Sequence, residues 1–273
     1  MVNPSDIEPL ALTAFYCCAL RAADAASTAP VCGDTFAARF IDDSTLARLR
    51  PLLGFRGPAA SNVARHRIID DIVRQALVAN SALKVVLIGA GLDTRAFRLA
   101  GGRWWEFDDA ALLALKEQRL PANTAPNPLT RVTIDFRSAD LRDYLAPLAG
   151  NEDALVVIEG VSMYLPTAAL TKTCAAVREA LPRASIVCDL MSPKFRQRFS
   201  GGLHRALQSL GAHFASNPTH PQLAIEAAGY RVENVVSIVE RAREAGTLRI
   251  PRWLLNSLLR ELRDGYAIYT FTR

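Results

Sequence analysis

Over its first 80 residues the chain places apolar side chains at helical spacing, with no β-branched run to interrupt them. Leu10, Ala14, Cys17 and Cys18 fall on one face of a first expected helix. A second is expected from Thr35 to Arg50, stopped by Pro51. After the loop Gly54 to Pro58, a third runs from Ser61 to Ala79 with Val63, Ile68, Ile69, Ile72, Val73 and Leu77 as its apolar stripe. From Leu83 the pattern changes to short β-branched runs alternating with helical segments, the signature of a parallel sheet covered on both faces. Strands are expected at Val85–Ile88, Trp104–Phe107, Val132–Phe136, Leu155–Ile158 and Ser185–Cys188, with helices at Ala110–Arg119, Leu141–Leu148 and Ala168–Leu181 between them. Phe195 to Ala228 reads as mostly helical, a cover over the sheet, and Tyr230–Val239 and Gly265–Phe271 supply two last strands. The amphipathic stretch from Trp253 to Leu262 predicts a core-facing helix before the last of these. One unit is expected over residues 1–273: a helical N-terminal extension (1–82) and an α/β core (83–273) with a helical insertion at about 195–228.

Composition narrows the function. In 273 residues, 50% are hydrophobic, 22% are charged, and glycine and proline number 15 each, which excludes disordered and collagen-like classes. The net charge of +5 invites a nucleic-acid reading, but only Lys84, Lys116, Lys172 and Lys194 are lysines. The arginines are dispersed from Arg21 to Arg273, and Arg196 to Arg205 reads as a solvated helix face rather than a basic patch with interleaved aromatics. The five cysteines contain no C-x-x-C and the four histidines no metal-binding spacing, so no disulfide framework or metal site is expected. Pro9 to Leu20 resembles a signal-peptide core, yet Asp6 and Glu8 precede it where Lys or Arg is needed. No other segment reaches the ~18 apolar residues of a membrane span. A soluble cytoplasmic protein acting on a small molecule is expected, without nucleic-acid or membrane partners.

The chemistry concentrates where Val85–Ile88 runs into Gly89-Ala90-Gly91-Leu92-Asp93-Thr94-Arg95. A buried strand ending in Gly-x-Gly lets a ligand approach the backbone at the carboxyl end of the sheet, where open α/β folds bind cofactors. A dinucleotide fingerprint would carry a third glycine where Thr94 stands. Glu106, Asp108 and Asp109 follow at the end of the next expected strand, and such a carboxylate accepts from both hydroxyls of a ribose. A nucleoside cofactor without a pyrophosphate fits this pattern, and S-adenosylmethionine is one.

Residues 89–99 resemble the first motif of the leucine carboxyl methyltransferase-like family, which includes bacterial O-methyltransferases of polyketide and other natural-product pathways. Arg65 to Asp70, Glu106 through Lys116, Ala139 to Arg142 and Glu159 to Pro166 are similar to further family motifs in the same order. Fainter similarity at Thr13-Ala14, Asp34 to Phe40 and Arg249 to Trp253 extends the resemblance over nearly the whole chain. The sequence departs from the pattern at Ala110, where a proline commonly follows the acidic motif.

The resemblance implies a Rossmann-like, seven-stranded class I methyltransferase sheet with helices on both faces, and S-adenosyl-L-methionine as cofactor. It further implies that Arg65 pairs with the methionine carboxylate, that Gly89, Gly91 and Asp93 form the cofactor turn, and that Asp108 or Glu106 holds the ribose. Asp140 and Leu141 would flank the adenine, with Glu159 near the ammonium or the transferring methyl. Tyr164 and His204 are the candidates for orienting or deprotonating an acceptor, with His213 beside them in the cover. Asp140 also suits a helix N-cap, and Tyr164 an ordinary core aromatic. The competing functions are an NAD(P)-linked oxidoreductase on the same glycine turn and a catalytically silent cofactor-binding partner protein.

Overall fold

The computed structural model describes residues 9–136, 138–211, 214–215 and 218–273, with the side chains of residues 9–11, Leu10 among them, outside the described set. Three helices precede the sheet: α1 (Pro9–Ala25), α2 (Asp43–Leu53) and α3 (Arg56–Ala79). The single helix expected from Thr35 to Arg50 is instead a 3-10 turn (Ala37–Phe40) followed by α2. The break falls at Asp42, whose side chain accepts from the Thr45 backbone N–H and so caps a new start. Pro51 lies inside the last turn of α2 rather than ending it. Helix α3 starts five residues earlier than expected because Pro58 occupies its first turn, where a missing N–H costs nothing.

The sheet comprises β1 (Lys84–Ile88), β2 (Arg103–Asp108), β3 (Leu129–Thr133), β4 (Ala154–Ile158), β5 (Ala184–Met191), β6 (Arg231–Ser237) and β7 (Tyr266–Thr272), in the order β3-β2-β1-β4-β5-β7-β6. The pairs among β1 to β5 are parallel, and β7 runs antiparallel to both β5 and β6. Connecting helices are α4 (Arg95–Arg98), α5 (Ala110–Arg119), α6 (Leu141–Leu145), α7 (Thr167–Ala180), α8 (Pro193–Phe199), α9 (Gly201–Ser209), α10 (Leu223–Glu226), α11 (Ile238–Glu244), α12 (Arg252–Leu255) and α13 (Arg260–Asp264). Asp109 caps α5 by accepting from the Ala111 N–H, so the helix begins at Ala110 without the proline.

Two apolar layers sandwich the sheet. Val85 and Leu87 face the layer made with α1, α3 and α11, while Val86 and Ile88 face the one made with α6, α7 and α10. That alternation is why β1 and β4 read as continuous apolar runs. Edge strand β3 begins three residues before its expected position, because its half-exposed sequence Leu129-Thr130-Arg131-Val132-Thr133 carries little apolar signal. The core-facing helix expected at Trp253–Leu262 is two short helices, α12 and α13, and Trp253 and Leu258 are 69% and 75% exposed. Among the described residues no helix is long and apolar enough to cross a membrane.

Strands β2 and β4 flank β1 on opposite sides, so the connections leaving the carboxyl ends of β1 and β4 diverge. That point opens the crevice where parallel sheets hold ligands. It is roofed by α1: Arg21 Nη2 donates to the Leu92 carbonyl at 2.7 Å, and a Cβ on Gly91 would lie 3.5 Å from Ala14 Cβ.

Candidate cofactor site

Gly89 and Gly91 turn the chain at the end of β1 with φ of +69° and +51°, a region side chains other than glycine avoid. A Cβ on Gly89 would also collide with Val161 Cγ2. Asp108, the last residue of β2, reaches across the crevice and accepts from the Gly91 N–H at 2.5 Å and the Asp109 N–H at 2.7 Å. Burial raises its carboxyl above the usual range, against the pull of those two donors.

Glu106 does not share that position. It is fully buried beneath Asp108, 2.9 Å from Lys116 Nζ and 3.0 Å from Arg131 Nε. Asp93 is likewise turned into the protein: one oxygen accepts from the Arg95 backbone N–H at 2.7 Å and the other pairs with the Arg95 guanidinium. Both were expected at the cofactor; both face internal cations, Glu106 through Oε2 only, its Oε1 being buried with no hydrogen-bond partner among the described residues.

Arg65, on α3, is buried and reaches β5, β7 and the residue just past β4. Its Nε donates to Glu159 at 3.0 Å, and its Nη1 to Asp189 at 3.2 Å and to the Tyr266 hydroxyl at 2.8 Å. The Tyr266 hydroxyl in turn donates to Asp189 at 2.8 Å. The Nη2 group meets Cys17 Sγ at 3.7 Å, and Asn62 Nδ2 donates to the same sulfur at 3.0 Å.

Glu159, one residue past β4, accepts from Arg65 and pairs with Arg95 Nη1 at 2.8 Å. Burial alone would raise its carboxyl, but Arg95, His66 and Arg65 hold it well below the usual range.

Behind Glu159 lies an ionic network that the sequence did not announce. Arg95 is fully buried, donating through Nε to Asp70 at 2.6 Å and through Nη2 to His66 Nδ1 at 2.8 Å. Arg98 Nη1 donates to Asp70 at 2.7 Å, and Arg21 Nε to Asp34 at 2.9 Å. Burial, then Arg95, lower the His66 pKa. His66, Asp93 and Glu159 bring potential metal-ligand atoms within 4.8 Å of one another, but the Arg95 guanidinium already bonds all three. Formally, Arg21, Arg65, Arg95 and Arg98 face Asp34, Asp70, Asp93, Glu159 and Asp189, four cations against five carboxylates, a net charge of one negative. The only signal for this network was the adjacency of Arg95 and Arg98 to the glycine turn and of Asp70 to Arg65.

Asp140 caps α6 through the Arg142 N–H at 3.1 Å and pairs with Lys172 at 3.1 Å, while Leu141 beside it is buried. Tyr164 stacks on Phe214 at 4.9 Å between ring centroids and shares a side-chain hydrogen bond with Thr13. His204, on α9, packs against the same Phe214 at 4.2 Å, with Ser200 Oγ 3.3 Å from its Nδ1. Phe214 thus joins the two residues expected at the acceptor. His213 lies outside the described residues.

The strand order, the single antiparallel strand and the glycine turn define the class I methyltransferase fold. Two solved structures share it: a DUF574 family protein from Streptomyces avermitilis (TM-score 0.59, 10% identity, 94% of this chain and 96% of that one) and the magnesium protoporphyrin IX methyltransferase ChlM from Synechocystis PCC 6803 with bound SAH (TM-score 0.51, 17% identity, 88% and 100%). Residues 14–178 match the leucine carboxyl methyltransferase family, and the chain belongs to that family. A Mycobacteroides abscessus protein provisionally named as an S-adenosyl-L-methionine-dependent methyltransferase is 29% identical over 233 residues, 73% of this chain and 72% of that one. The tetracenomycin polyketide synthesis O-methyltransferase TcmP of Streptomyces glaucescens is 24% identical over 214 residues, 76% of each chain. The chain spans about half the length of several other curated relatives it matches, from Streptomyces and Frankia.

Proposed function

We propose that this protein is an S-adenosylmethionine-dependent O-methyltransferase that methylates a carboxylate or hydroxyl of a small molecule, a secondary metabolite in the cytoplasm. One observation carries the reading: Asp108, at the end of β2, accepts from the Gly91 N–H of the glycine turn, and Arg65, 43 positions away in sequence, bonds Glu159 just past the end of β4, so a carboxylate and a guanidinium stand at the carboxyl ends of the strands on either side of β1. The donor set fits the cofactor's chemistry. S-adenosylmethionine carries a sulfonium, an ammonium and a carboxylate, one net positive charge, against a cluster with one net negative charge. It also presents a ribose diol, which a strand-end carboxylate such as Asp108 accepts from.

In this reading Asp108 accepts from the ribose hydroxyls and Arg65 donates to the methionine carboxylate through Nη2. Glu159, Asp189 and Tyr266 hold the other guanidinium nitrogens, so they fix the direction in which Nη2 points. Glu159 also lends its negative charge to the ammonium side. Asp140 and Leu141, at the start of α6, border the adenine. When bound, the cofactor supplies a methyl group on a sulfonium, which an oxygen nucleophile takes by in-line displacement. What the chain contributes is alignment and exclusion of water.

Tyr164 and His204 stand on the acceptor side. Burial, then Arg196, lower the His204 pKa to about 4, so the ring is neutral near pH 7. A base that weak accepts a hydrogen bond readily but removes a proton poorly. It suits acceptors that are already ionised or acidic, carboxylates and phenols.

The test is calorimetric titration with S-adenosylhomocysteine and NADH. The proposal expects binding of the first alone, weakened about tenfold by Asp108→Asn and unaffected by Glu106→Gln in any variant that stays folded. Binding of NADH alone would return the oxidoreductase reading. Tight S-adenosylhomocysteine binding without methyl transfer to any of a broad panel of carboxylates and phenols would favour the silent partner.

A further inference from the structure

The hydroxyl of Tyr16 is buried and has no hydrogen-bond partner among the described residues. The residue is 3% exposed. Buried hydroxyls are ordinarily paired, and an unpaired one costs free energy that a useful ligand contact can repay.

Its position on α1 says which ligand. Thr13, Tyr16 and Cys17 stand at i, i+3 and i+4, one face of the helix. Thr13 on that face bonds Tyr164, and Cys17 meets Asn62 Nδ2 at 3.0 Å and Arg65 Nη2 at 3.7 Å. Tyr16 therefore belongs to the face of α1 that meets the turn after β4 through Thr13 and the guanidinium of Arg65 through Cys17. Cys17 and Arg65 both act electrostatically on its hydroxyl.

Near it, Arg65 has Nε and Nη1 committed to Glu159, Asp189 and Tyr266, while Nη2 is engaged by a sulfur alone. One weakly used guanidinium nitrogen and one unpaired phenol make a two-donor site for a carboxylate.

We infer that Tyr16 is a ligand-binding residue, donating its phenolic hydrogen to the carboxylate that Arg65 Nη2 holds. This rests on the reading of Arg65 as the carboxylate-binding group of the cofactor site. It adds a contact from the helical roof over the crevice, so that α1 takes part in recognition as well as in packing.

The experiment compares two ligands on three proteins. S-adenosylhomocysteine carries the carboxylate, and 5′-methylthioadenosine lacks the whole amino-acid arm. Tyr16→Phe is expected to weaken S-adenosylhomocysteine about tenfold and to leave 5′-methylthioadenosine unchanged. Its ligand-free melting temperature should be no lower than that of the wild type, because the lost hydroxyl had no partner to lose. Tyr16→Met serves as a second apolar replacement with the same expected pattern. Equal weakening of both ligands, or an unchanged affinity for S-adenosylhomocysteine, would overturn the assignment of Tyr16 while leaving the cofactor site standing. A wild-type protein that binds neither ligand would overturn the reading of the site, and this one with it.

Discussion

Replacement of Arg95 tests the ionic network behind Glu159. The guanidinium makes contacts to Asp70, Asp93, Glu159 and both the ring and the carbonyl of His66, all from a fully buried position. A lysine offers one nitrogen with three protons in place of a planar fork. Arg95→Lys therefore forfeits at least two bonds to charged partners, each worth about 1.5 kcal/mol, or about 3 kcal/mol together. An unfolding entropy of about 2.1 cal/mol/K per residue converts that into a fall of about 5 °C in melting temperature. Arg95→Met goes further by leaving the Asp93 side chain buried without its cation, with an expected cost of about 3–5 kcal/mol. Circular-dichroism melts of the purified variants measure both. Glu159 loses one of its holders in either case, so affinity for S-adenosylhomocysteine should fall as well. A methionine variant that melts within about 1 °C of the wild type would refute the claim that these charges depend on Arg95.

Gly89→Ala meets both a positive φ and the Val161 methyl, and should cost about 2–4 kcal/mol, whereas Gly91→Ala, with a positive φ but only an ordinary van der Waals contact to Ala14, should cost about 1 kcal/mol. Urea midpoints compare the two, and equal costs would remove the steric argument. Because the folded pKa of His204 lies near 4, below the ordinary 6.5, its neutral form is favoured by folding. The associated stability is whole above pH 6.5 and drains away as pH falls towards 4, up to about 3 kcal/mol. His204→Leu should therefore flatten the stability profile between those limits, and an unchanged acid limb would refute it.

The sheet was legible because burial on both faces writes itself into sequence as unbroken runs such as Val85–Ile88 and Ala154–Ile158. Strand β3 was misplaced because an edge strand with one half-exposed face need not look apolar. Trp253 and Leu258 misled in the opposite sense, since the spacing of apolar residues says nothing about whether anything covers them. At the site, Asp108, Arg65 and the glycine turn stood out by position within motifs. Glu106 was indistinguishable from Asp108, since two carboxylates on the same face of one strand differ only in depth. The network was hidden for a different reason: Arg95 finds Asp70 25 residues away and His66 29 away, and only the fold selects those pairs.

Arg65 is bonded to Glu159, Asp189 and Tyr266 across sequence separations of 94, 124 and 201 residues. Closing loops of that length is among the slowest and most entropically expensive events in folding, so these contacts form only when the sheet is complete from β1 through β7. A partly folded chain can have its glycine turn and still lack the carboxylate subsite. If the carboxylate is held at Arg65 as proposed, its binding is linked to global rather than local unfolding, and saturating S-adenosylhomocysteine should slow hydrogen exchange across strands that never touch it.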